Sequence, residues 1–137
     1  MKSSDKLAIQ ELLSRAAYCF DERKLDDLEQ CFTIDASMLI NITGSGEVSP
    51  FEGRAVIMQL MSDTLATQTD VRRHVISNFF FEAEGKKTAT VVSSLVVSSV
   101  ENGEINVIIS GIYRDDVVKA GGIWQISHRH LGLDIPF

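Results

Sequence analysis

Two side chains whose types could do chemistry together are Asp21 and His74, 53 positions apart. Asp21 closes the run Tyr18-Cys19-Phe20-Asp21, at the end of an amphipathic helical pattern. His74 lies in Arg72-Arg73-His74-Val75-Ile76-Ser77-Asn78, where a long β-like pattern begins. A carboxylate that holds an imidazole in one tautomer and stabilises its protonated form makes a competent general base. The chemistry such a pair offers is proton abstraction from a small organic molecule.

For the pair to meet, the chain must bend a helix end onto a strand. Ser3, Ser4 and Asp5 supply N-cap chemistry for a helix running to about Phe20. Ile9, Leu12, Leu13, Ala16, Ala17 and Phe20 form its apolar stripe. At ~100° per residue, Asp21 falls ~40° from Ala17, on the edge of the buried face. A short second helix follows, with Leu25, Leu28 and Phe32 inward and Asp26 and Asp27 favouring its start through the helix dipole. Residues 36–42 read as a strand. Residues 43–53, with Gly44, Gly46, Pro50 and Gly53, read as a loop able to act as a lid. A third helix is expected over 54–66.

From there the pattern is β to the end, with strands near 72–82, 88–100, 105–116 and 123–135. Turn signals stand at Glu84-Gly85, Glu101-Asn102-Gly103 and Ala120-Gly121-Gly122. Helices first and a meander afterwards make an α+β chain. Strands of this length twist and curl, and Gly111 is a plausible bend or bulge. Helices against a curled sheet leave a cone-shaped cavity, where Asp21 and His74 would meet.

Composition narrows the class. The chain has 137 residues, 45% hydrophobic and 23% charged, which fits one ordered domain over 1–137 with a core of its own. A net charge of -6 leaves no electrostatic footprint for nucleic acid or an anionic membrane, and the only local basic cluster is Arg72-Arg73. No apolar run is long enough to span a bilayer, and the N-terminal segment lacks a signal peptide's apolar stretch. Cys19 and Cys31 both fall in helical apolar patterns and read as reduced core residues. The expectation is a soluble protein of the cytoplasm.

In order along the chain stand Tyr18-x-x-Asp21, Leu28-x-x-Cys31-Phe32-x-x-Asp35-Ala36, Phe51-Glu52-Gly53-Arg54, His74-x-x-x-Asn78, Gly111-x-Tyr113 and Trp124-x-Ile126-x-x-Arg129. With these spacings the chain resembles the nuclear-transport-factor-2-like cone fold and, within it, the SnoaL-like group that includes scytalone dehydratase. The resemblance implies a cone-shaped, curled mixed or antiparallel sheet packed against three helices, an α+β barrel. It implies the catalytic dyad for Asp21 and His74, a pocket position for Arg129, and no cofactor. It sets Tyr18 and Tyr113 at the substrate. Scytalone dehydratase also uses a second histidine, for which this chain shows no match.

Each of these residues has a plainer reading. His74 can be a structural histidine, and Asp21 can simply end a helix in solvent. Tyr18 can donate to a substrate carbonyl or only cover the pocket mouth. Asn78 lies ~13 Å along the strand from His74, and either satisfies backbone or lines the pocket's far end. Alternation sets Arg129 on one face and His128 and His130 on the other. With the Trp124-to-Arg129 spacing, the expectation is that Arg129 points into the cone and the two histidines away, unless a bulge near Ser127 upsets the parity. Were both histidines inward with His74, a three-histidine metal site would be conceivable, although no carboxylate pattern supports one. Trp124 and Phe79-Phe80-Phe81 read as core or subunit contact. Ser93, Ser94, Ser98 and Ser99 lack a nucleophile context, and no phosphate-binding glycine loop is present.

The reading that follows is a lyase of the dehydratase or dehydrohalogenase type acting on a small hydrophobic, cyclic substrate. His74 would act as base, Asp21 would orient it, and Arg129 would meet developing negative charge. An isomerase or polyketide cyclase would share the first step. A non-catalytic ligand-binding or assembly module is the remaining alternative. Val92, Val96, Ile105, Val107 and Ile109 supply more apolar surface than three helices can cover, which points to a homo-oligomer, a dimer or trimer.

Overall fold

A computed structural model describes residues 1–46 and 48–136. The element order is α1 (Ser3–Asp21), α2 (Leu25–Glu29), β1 (Phe32–Ile42), β2 (Val48–Glu52), α3 (Arg54–Thr67), β3 (Val71–Glu84), β4 (Thr88–Glu101), β5 (Glu104–Ala120) and β6 (Ile123–Leu133). The six strands form one mixed sheet in the order β2-β1-β6-β5-β4-β3. β3 to β6 are an antiparallel meander, and β1 joins β6 in parallel. The sheet curls around the three helices without closing, so β2 and β3 remain its edges.

α1 forms as its stripe dictates, with Ile9, Leu12, Leu13, Ala16 and Cys19 buried. Its start differs from expectation. Lys2 is the N-cap residue and no side chain caps the helix. Asp5 is instead drawn inward, accepting hydrogen bonds from Trp124 Nε1 and Lys119 Nζ, both at 3.0 Å. The helix stops because Arg23 turns into the left-handed region, at φ 60°. That turn aims the Arg23 guanidinium at the carbonyls of Leu65 and Gln68, tying the end of α1 to the end of α3.

Two other boundaries depart from the sequence pattern. Cys31 lies beyond α2, in the turn before β1, although it is buried and free, as is Cys19. The supposed lid is largely a strand, since β2 pairs with β1 from Ser37↔Glu52 to Asn41↔Val48. Pro50 is tolerated there because β2 is an edge strand, where a missing N–H costs no ladder bond.

Three of the sheet's irregularities decide which side chains face the helices around the site. In β3, Asn78 adopts φ 56° and the ladder with β4 slips between Ser77 and Phe80. In β5, Ile108 is the extra residue between Val107 and Ile109. In β6, Ser127 is the extra residue between Ile126 and His128. An added residue exchanges the two faces of a strand beyond it. Hence Ile109 is buried while Ile105 and Val107 are exposed, and Ile109 does not belong to the outer apolar surface. Gly111 is not a bulge, for it pairs regularly with Leu95 and Leu133. A Cβ there would lie 2.5 Å from the Gly132 carbonyl oxygen, so the close backbone approach is what requires glycine.

Candidate active site

The end of α1 meets the start of β3 through one carboxylate. Asp21 Oδ1 lies 2.6 Å from His74 Nδ1, and Asp21 Oδ2 accepts the His74 backbone N–H at 2.8 Å. Both side chains are nearly buried, 5% and 12% exposed. An ionised carboxylate only accepts, so Nδ1 carries a proton, and in the neutral ring Nε2 then presents its lone pair. Among the described residues nothing hydrogen-bonds to Nε2. The Phe20 ring packs against the imidazole at 5.2 Å between centroids, tilted by 49°.

His74 opens onto a cavity of about 110 Å³. That is several times the space a single water needs. The wall is largely apolar, from α1 (Ala16, Phe20), α3 (Leu60, Met61) and the sheet (Leu95, Leu131). The polar exceptions are His74, Tyr113 and Arg129 together with Thr64, Gln68 and Arg72.

Arg129 reaches the cavity because of the Ser127 bulge. From the buried Trp124 and Ile126, unbroken alternation would turn His128 and His130 inward. The extra residue gives that face to Arg129, Leu131 and Leu133 instead. His128 bonds Ser37 through Nδ1, at 2.6 Å. The three-histidine arrangement therefore does not form, and among the described residues no group of three or more His, Cys, Asp or Glu side chains could hold a metal ion.

Arg129 is not a free cation. Its Nε donates to Asp115 Oδ1 at 2.7 Å and its Nη2 to Asp115 Oδ2 at 3.1 Å, and Asp115 is fully buried. Burial alone would lower the pKa of this guanidinium, but the Asp115 charge beside it carries it above the usual arginine range. The guanidinium also stacks on Tyr113, 3.9 Å from Cζ to the ring centroid. Burial raises the Tyr113 phenol, against the opposing Arg129 charge, so it stays protonated and able to donate. Its hydroxyl has no hydrogen-bond partner among the described residues.

Four of the six expected site residues, Asp21, His74, Tyr113 and Arg129, thus converge. Two do not. Tyr18 is 57% exposed on the outer side of α1, with Lys24 Nζ 5.4 Å above its ring, and does not border the cavity. Asn78 does not share the face of His74, because the bulge it forms carries it to the exposed side and turns Phe79 and Phe81 inward. Asp115 went unrecognised in the sequence, although it stands two residues beyond Tyr113 on one strand face, where a carboxylate must find a partner. Arg72 was passed over as part of a small basic cluster, yet it shares the face of His74.

The family model of the SnoaL-like domain matches residues 1–130. An uncharacterized protein of Mycobacterium tuberculosis is 30% identical over 128 residues, covering 92% of this chain and 83% of that protein. A Nostoc punctiforme protein of unknown function with a cystatin-like fold superposes with a TM-score of 0.81 at 25% identity, over 98% of this chain and 94% of that one. A candidate scytalone dehydratase of Novosphingobium aromaticivorans superposes with a TM-score of 0.78 at 21% identity, over 96% and 85%.

Proposed function

This chain belongs to the SnoaL-like domain family, and from that premise we propose that it is a cofactor-independent lyase of the dehydratase type acting on a small, mostly apolar molecule. The observation that carries the reading is the Asp21–His74 contact, with Nε2 left bare at the wall of an apolar cavity. The likeness to a candidate scytalone dehydratase supports the same reaction class.

In the reaction, Nε2 takes a proton from the carbon beside an activating carbonyl. The imidazolium that forms is stabilised by Asp21. The C–H electron pair becomes the new double bond as the neighbouring C–O bond breaks. The departing hydroxyl leaves as water with the proton that His74 accepted, so no outside reagent is needed. Tyr113 donates to the oxygen that gains charge. Arg129, already matched by Asp115, acts mainly by holding Tyr113 in place and adding field in a site that excludes water. The two buried free thiols fit a reducing compartment such as the cytoplasm.

The test is turnover of hydroxylated cyclic ketones in deuterated water, followed by mass spectrometry. The wild-type protein should release water or exchange the activated hydrogen. His74→Ala should lose about 10²–10⁴-fold, the usual contribution of a positioned base. Full activity in His74→Ala would sink the assignment. Exchange without loss of water would favour an isomerase or cyclase using the same base.

A further inference from the structure

Resting on that reading of the site, we propose that Arg72 makes this cavity selective for substrates bearing a carboxylate, held beside the carbon from which His74 takes its proton. Arg72 and His74 are two residues apart on β3 and both border the cavity. On a strand that spacing is roughly 6.6 Å between backbones, so an anion on Arg72 and a C–H at His74 can belong to one small molecule.

The two cavity arginines differ in what they have left to give. Arg129 is buried and locked in a two-point pair with Asp115, its charge matched. Arg72 meets Asp70 through Nε alone, at 3.1 and 3.0 Å to the two carboxylate oxygens. Neither Nη group has a hydrogen-bond partner among the described residues. A guanidinium fixed at Nε and bare at both Nη groups presents the planar fork that grips a carboxylate at two points.

Asp70 is built to hold that fork still. It also accepts the Ser99 hydroxyl, and its own carbonyl accepts from Gln68 Nε2, at the cavity end of α3. Asp70 is therefore a positioning residue and Arg72 the binding residue. The Arg72 side chain is 25% exposed. That partial exposure keeps the guanidinium hydrated until an anion arrives, while the apolar wall receives the rest of the molecule.

Benzoate and benzamide make a matched pair of probes, close in shape and differing in charge. Their affinities would be measured by calorimetry or ligand-observed NMR at fixed ionic strength near neutral pH. Wild-type protein should bind benzoate about tenfold or more tightly than benzamide, the usual size of a charge-assisted two-point contact. Arg72→Gln should bring the two to equal affinity. Arg72→Lys, which keeps charge but not the fork, should lose several-fold, and it decides the matter if Arg72→Gln does not fold. Equal affinities in the wild type, no detectable benzoate binding at millimolar concentration, or a preference that survives both substitutions overturns the proposal. Turnover of neutral ketones with no benzoate preference would remove this proposal alone. A benzoate preference lost in Arg72→Gln, in a protein that never exchanges a substrate hydrogen, would support the anion site and remove the lyase reading.

Discussion

Both oxygens of the Asp21 carboxylate are committed to His74, one to the ring at Nδ1 and one to the backbone N–H. β3 is an edge strand, so its outward N–H groups lack a ladder partner, and Asp21 supplies one. The same side chain therefore closes the sheet edge and sets the tautomer of the imidazole.

Substitutions at Asp21 should separate the two roles. Asp21→Asn keeps an acceptor for the backbone N–H but turns an amide donor toward Nδ1, forcing the proton onto Nε2. Activity should fall by about 10³–10⁴-fold, as loss of the correct tautomer does elsewhere. Stability should fall by only about 1 kcal/mol. Asp21→Ala leaves the N–H unpartnered as well and should cost about 2–3 kcal/mol in urea unfolding. Equal midpoints for the two variants would show that the backbone contact contributes nothing.

The Arg129–Asp115 pair makes a different forecast. Asp115→Asn strands a buried guanidinium and should cost about 3–5 kcal/mol. Replacing both partners, Arg129→Met with Asp115→Leu, should recover most of that stability while turnover stays low. Guanidinium chloride unfolding of the three proteins checks this. A mild effect of Asp115→Asn would mean that water reaches the pair.

Acid titration should report on Asp70. The Ser99 hydroxyl first, and then Arg72, hold its carboxyl below the usual carboxylate range. A depressed native pKa means stability that is present above the unfolded value, ~3.9, and lost as pH falls through the native one. Ser99→Ala should therefore be less stable than wild type near neutrality, and the gap should narrow below about pH 4. A gap independent of pH would assign the loss to packing.

Assembly can be read from the outer face of the sheet. Val71 and Val75 on β3, Val96 and Val100 on β4, and Ile105 and Val107 on β5 are all exposed there. Val71, Val100 and Ile105 stand side by side across the three strands, Val75 stands beside Val96, and Val107 stands beside Ser98. A largely apolar face of this kind is expected to cover itself with a second copy. Sedimentation at micromolar concentration should show a species at least twice the 15.2 kDa chain mass. Val107→Glu should dissociate it. A wild-type monomer at that concentration would contradict the expectation.

Much was determined by the sequence alone. Helical spacing located α1 and α3, β-branched runs with glycine turns located the meander, and the order of motifs identified the family. These are local signals, each carried by residues near one another in the chain. Tertiary structure decided which way side chains face wherever a strand is irregular. Asn78 leaves the cavity, Ile109 enters it and Arg129 replaces its histidine neighbours because one extra residue in each strand exchanges the two faces. Whether a strand accepts that residue depends on the neighbour it pairs with, which no local pattern records. The same holds for Asp115 and Arg72. Their roles depend on whether a partner takes all of a guanidinium's donors or leaves two bare, and those partners are set by how strands and helix ends come together.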